Sequence, residues 1–123
     1  MLLQGGPEPY LASLRRMRQA LPELAEIVPG HGPMGDGTAA LDTLIEYLTR
    51  LGDEVAAAFS AGRSLAETEE LCTNPWTEGL DPTLAKAMTR YPIPAARAQQ
   101  GMLQLCRNLH RLNVLATYRI HSK

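Results

Sequence analysis

From Thr38 to Ala61 the sequence contains no proline, and Leu41, Leu44, Ile45, Leu48, Leu51, Val55 and Phe59 recur at steps of three and four. That period belongs to one face of an α-helix and is incompatible with the two-residue alternation of a half-buried strand. Asp36 or Thr38 is suited to cap the start, and Gly62 is placed to end the helix. Gly52 interrupts the stripe at a cost of about 1 kcal/mol relative to alanine, which predicts a bend or a close helix contact there. A second long segment, from about Ala95 to Ile120, follows "YPIP" and is predicted to carry Met102, Leu105, Leu109, Leu112 and Ala116 on one face.

The remaining segments are shorter. Pro7 to about Leu24 reads as a helix with Leu11, Leu14, Met17 or Arg18, and Leu21 in register, and Pro7 or Pro9 suits its first turn. Ser64 and Glu67 have capping-box spacing for a helix to about Cys72. "TNPWTEGLDP" is a turn-rich connection, and Pro82 to Arg90 is predicted to be another short helix. Only "AEIV", which ends at Pro29 and Gly30, is β-prone, and it predicts one brief strand. The expected fold class is therefore mostly α with one short β-strand.

The chain is long enough for one domain with a real core, and with 5% aromatic residues that core must be built from Leu, Ala, Val and Met. No apolar run approaches the ~18–20 residues that span a bilayer, and "MLLQGGPEPY" lacks the basic end and apolar centre of a secretory signal. The expected location is cytoplasmic, with no membrane partner, and Cys72 and Cys106 are expected to be buried thiols rather than a disulfide. All 13 acidic residues lie at or before Asp81, and Pro82 to Lys123 carries only positive charges. The basic end is expected to pack beside acidic surface of this chain or of a partner. No aromatic series accompanies the arginines and the net charge is −1, so no nucleic-acid partner is expected.

Chemically, the outlier is "EIVPGHGPMGDG", residues 26 to 37, which sets His31 between two glycines and two prolines. A Walker loop needs Lys followed by Ser or Thr after its glycines, and neither is present. "GHGPMG" matches G-x-G-x-x-G literally, but Pro33 removes a backbone donor where a phosphate would need one. Metal ligation is the stronger functional reading. Flanking glycines allow close approach of an ion, and the prolines restrict the loop that presents the imidazole. Zinc needs three or four such groups, however, and no HExxH or HxH is nearby. From spacing alone, an ordinary polar loop residue remains the simpler account of His31.

"EIVPGHGPMGD" resembles the segment that bears the last histidine ligand of metallo-β-lactamase-fold hydrolases, where a strand runs into a V-x-P-G-H-G loop. "YLASLRRMRQALPELAEIVPGHGP" looks like that family's helix leading to its final core strand, and the helices through "NLHRLNVLATYR" are similar to the C-terminal segment of its longer branch. The resemblance implies the C-terminal part of an αββα metallo-β-lactamase fold plus its helical C-terminal extension. Residues 1–37 would then be the final helix, strand and PGHG loop, and residues 38–123 the helical C-terminal segment. It makes His31 a metal ligand, held in a loop shaped by Gly30, Gly32 and Pro33, and it implies zinc-dependent hydrolysis of a small-molecule ester, thioester or lactone.

The family's principal motif, H-x-H-x-D-H, is absent, and the other histidines are His110 and His121. Zinc is therefore expected only if the remaining ligands come from another chain or segment. The chain assigns no catalytic residue of its own and is expected to be inactive in isolation, to contribute substrate-entrance helices, and to self-associate or join a companion chain. The alternative is a non-catalytic helical module for oligomerisation or partner binding, with the two long stripes as its contact surface. Among the other candidates, His110 reads as a hydrogen-bonded residue at the edge of an apolar seam and His121 as part of a frayed end. Trp76 reads as a plug under a loop, and Glu69 and Glu70 as a solvated helix face.

Overall fold

The structure, a computed structural model, describes residues 5–23, 26–27 and 35–123. Five helices follow in order: α1 (Glu8–Ala20), α2 (Gly37–Ser60), α3 (Leu65–Leu71), α4 (Pro82–Ala87) and α5 (Ala95–His121), with a 3₁₀ turn over Met88–Arg90 between the last two. α2 is the central element and packs against α1, α3 and α5. The expected strand and its αββα setting are corrected by this arrangement. The described residues are helical and build no sheet layer. Their one extended pairing is a two-residue antiparallel contact, Glu26 with Asp36 and Ile27 with Gly35. The physical reason is that the apolar run at "AEIV" is too short to bury a sheet face, whereas each helical stripe finds another helix.

The core is Leu11 and Leu14 from α1, Leu41, Leu48, Leu51 and Val55 from α2, Cys72 after α3, and Val114 from α5. Leu44 and Ile45 are partly buried against it, so most of the stripe on α2 faces inward. Pro7 precedes α1 and its Cγ lies 3.4 Å from where a side chain on Gly52 would begin, so the close helix contact at Gly52 is made by the start of α1. At the far end of α1, Arg18 Nε donates to Asp42 Oδ1 at 2.8 Å and ties the helix to α2. An exposed pair of this kind contributes about 0.2–1 kcal/mol.

Local chemistry fixes the helix ends. Gly62 has φ +70°, and Arg63 N donates to Ala58 O at 3.0 Å while Gly62 N donates to Phe59 O at 2.9 Å. That left-handed glycine satisfies carbonyls α2 would otherwise leave open. α3 opens on a capping box in which Ser64 Oγ accepts from Glu67 N and the Glu67 carboxylate accepts from Ser64 N. Glu54 on α2 accepts from both Thr73 N (2.7 Å) and Thr73 Oγ1 (2.8 Å), which clamps the end of α3 onto α2. Asp81 caps α4 by accepting from Leu84 N.

On α5 the buried face differs from the predicted one. Cys106, His110, Asn113, Val114 and Thr117 point inward, while Leu105 is 50% and Leu112 44% exposed. The helix turns a partly polar seam to the core because α2 offers it a polar partner, described below, and its leucines are left on the outer side. No helix among the described residues is long and apolar enough to cross a membrane.

Candidate functional site

Two regions carry chemistry. The first is the loop segment expected to hold the metal ligand. His31, with Gly30, Gly32 and Pro33, lies outside the described residues. The structure does place the two ends of that segment: Ile27 and Gly35 are paired, and Gly35–Asp36 leads directly into the first turn of α2. The pairing thus lies beside the N-terminus of the central helix. Among the described residues no group of three or more His, Cys, Asp or Glu side chains is arranged to hold a metal ion. Among the described residues, then, no donor set fits zinc on its own.

The second region is a polar seam between α2 and α5. Tyr47 stands on α2 beside the Leu44–Leu48–Leu51 stripe, and its Oη is 3.1 Å from His110 Nδ1 and accepts from Asn113 Nδ2 at 3.2 Å. Trp76 packs edge-on against the Tyr47 ring, with centroids 5.9 Å apart. Arg107, one turn before His110, holds the Trp76 segment by donating from Nε to Trp76 O (3.0 Å) and from Nη2 to Thr77 O (2.7 Å). His110 is 2% exposed, and its Nε2 has no hydrogen-bond partner among the described residues. Hydrogen-bond accounting selects the tautomer with the proton on Nε2. Tyr47 then donates to Nδ1 while accepting from Asn113, and only one polar hydrogen is left unpaired.

Burial is the main cause of every shifted group here. It lowers the His110 pKa below the usual 6.5, an effect that the Cys72 backbone and the Glu54 charge only partly oppose. It raises the Tyr47 phenol above 10.0 despite the Asn113 hydrogen bond, and pushes the Cys72 thiol up to about 11 with help from the Glu54 charge. At neutral pH the seam is therefore uncharged. Cys72 and Cys106 are free, buried thiols with raised pKa, which are poor nucleophiles. The seam locks α2 to α5: His110 is enclosed, and the thiol of neighbouring Cys72 is held protonated by burial.

His110 sits deeper than the seam-edge position its sequence context suggests. Trp76 is half-buried against Tyr47, as a plug would be, and on α3 Glu70 is exposed while Glu69 is partly buried. His121 packs at a tilt against Phe59, with centroids 5.7 Å apart at the end of α5. Tyr47 and Asn113 were not singled out by pattern. The available signal was that Tyr47 falls three residues after Leu44, in step with the apolar stripe, which marks a polar atom entering a core. Comparison with protein-family models, with curated proteins and with solved structures gives no match for this chain.

Proposed function

We propose that this chain serves as the helical portion of a zinc-dependent hydrolase of the metallo-β-lactamase superfamily, with His31 as one metal ligand, and that it is inactive alone. The observation that carries this reading is the "EIVPGHGPMGD" segment, whose two ends pair at Ile27 and Gly35 next to the start of α2. Pinned ends reduce the entropy lost when a loop side chain binds an ion. The chain's own contribution is to position: Gly35–Asp36 runs into α2, and the Tyr47–His110–Asn113 seam fixes α5 against α2. Zinc, when bound, would polarise a substrate carbonyl.

The need for a companion is supported by α1. Tyr10 and Met17 lie seven residues apart on one face of α1 with Leu21 just beyond its end, and all three are exposed. In this reading the segment or chain that supplies the missing ligands would also cover that row. The same row favours the second reading, a non-catalytic helical module that self-associates through α1. The readings separate on zinc per chain, measured on metal-free protein re-exposed to zinc and desalted, with His31→Ala alongside and the oligomeric state recorded. Zinc retained in associated protein and lost in His31→Ala supports the hydrolase portion. Zinc absent from both samples, with association intact, supports the helical module. Zinc-dependent turnover by pure monomer contradicts both.

A further inference from the structure

α5 carries a surface that its contacts with the described core leave open. Arg97, Gly101, Gln104, Asn108 and Arg111 follow one another at steps of three and four and form one outward strip along α5. From Arg97 to Arg111 the strip extends about 21 Å. Around the first half of this strip is an open cavity of about 630 Å³, walled by Tyr91, Ile93, Met102 and Leu105 and floored by Met88 and Ala98. Tyr91, Ile93 and Leu105 are each about half exposed, so three of the most exposed large apolar side chains converge on one groove. Gly101 opens its centre, because a side chain there would meet nothing within 4 Å.

A second cavity of about 330 Å³ adjoins the first and shares Gln104 with it. Its lining is polar and cationic: Asn74, Thr77, Arg107, Asn108 and Arg111. Arg107 is already oriented by the Trp76 and Thr77 carbonyls, so its charge is fixed in place before any ligand arrives. No carboxylate lines either cavity, none occurs in the sequence after Asp81, and neither Arg107 nor Arg111 forms an ion pair among the described residues. An apolar trough that runs into an unneutralised cationic pocket matches one chemistry: an aliphatic chain with an anionic head.

We propose that this face of α5 binds an amphipathic anion, an alkyl or acyl chain bearing a phosphate-type head group. The chain lies in the trough over Gly101 between Ile93 and Leu105, and the head group reaches Arg107 and Arg111. The site is independent of His31 and of zinc. It therefore goes beyond the proposed hydrolase role and is tested on metal-free protein.

The experiment is calorimetric titration of the full chain with octyl phosphate, beside the variants Gly101→Leu and Arg111→Glu. Gly101→Leu fills the trough where the structure has space and replaces glycine with a better helix former, so folding is retained. The expected result is one saturable site per chain, at least tenfold weaker in each variant, with inorganic phosphate alone giving no saturable heat. Vesicles containing phosphatidylglycerol distinguish the source of the ligand: binding to vesicles that both variants lose assigns the head group to a lipid surface, and binding of octyl phosphate alone assigns it to a free amphiphile. Failure of octyl phosphate and vesicles alike overturns the proposal. Affinity unchanged in Gly101→Leu does so too, as does a dimer that closes the groove and that octyl phosphate does not compete away.

Discussion

Replacing Tyr47 with phenylalanine removes a single oxygen from the seam between α2 and α5 and leaves its ring in place against Trp76. The oxygen makes two contacts, 3.1 Å to His110 Nδ1 and 3.2 Å from Asn113 Nδ2. Asn113 keeps another interaction, so its loss is one hydrogen bond, about 0.5–1.5 kcal/mol net. His110 loses the Tyr47 hydroxyl at Nδ1, and a buried nitrogen left without a partner costs about 1–3 kcal/mol. The regained freedom from burying a hydroxyl offsets part of this, since Tyr47 is itself only partly buried. The expected destabilisation is about 2 kcal/mol. In urea, with a slope of about 2 kcal/mol per M, the midpoint falls by about 1 M and the slope is unchanged. The companion measurement is His110→Leu alone and with Tyr47→Phe: a shared seam makes the double variant less destabilised than the sum by about 1 kcal/mol or more. A Tyr47→Phe loss below about 0.5 kcal/mol, or strict additivity, would refute the seam as a lock between the helices.

Three further outcomes follow from the same structure. The lowered pKa of His110 means the unfolded chain takes up a proton before the folded chain does as pH falls through 6.5, so stability is full above that value and declines below it, with a slope of at most about 1.4 kcal/mol per pH unit. Urea midpoints from pH 7.5 to 5 should show that decline, and His110→Gln should flatten it. Gly52→Ala should stabilise by about 0.5–1 kcal/mol, because helix propensity improves and the new methyl meets Pro7 Cγ at 3.4 Å. Gly6→Ala should destabilise instead, because φ there is +77° and the added carbon would stand 3.1 Å from Ile120 Cγ1; thermal melts of the two variants should move in opposite directions. Ser64→Ala removes the hydroxyl half of the capping box, leaving the residue-64 N–H to the Glu67 carboxylate, and should cost about 1 kcal/mol, with faster amide exchange at Glu67 as the local sign.

The helices were legible because proline, glycine and the period of the leucines mark them. Leu41, Leu48, Leu51 and Val55 are buried in the order their spacing indicates, and Gly62 stands at the left-handed turn that closes α2. α5 was misoriented for a physical reason. Its leucines outnumber its polar core residues, so a stripe drawn through Leu105 and Leu112 looks better than the true one through His110 and Asn113. What reverses the choice is Tyr47, 63 residues away, which makes that polar face cheaper to bury. Local periodicity cannot contain such a partner. On α1, the choice between Met17 and Arg18 is settled the same way, by Asp42 drawing Arg18 toward α2 and leaving Met17 exposed. Of the strand expected at "AEIV", Glu26 and Ile27 make a two-residue pairing, and the described residues supply no further strand beside it. The P-G-H-G segment, with His31, lies outside the described residues.

The central claim is that His31 is the residue through which this chain meets a metal. It is tested most directly by nitrogen NMR of the three histidine rings during titration of the metal-free protein with zinc. The account predicts that the His31 ring responds first, that the amides of Ile27 and Gly35 shift with it, and that buried His110 stays unchanged. A response centred on His121, or one that survives in His31→Ala, would contradict it.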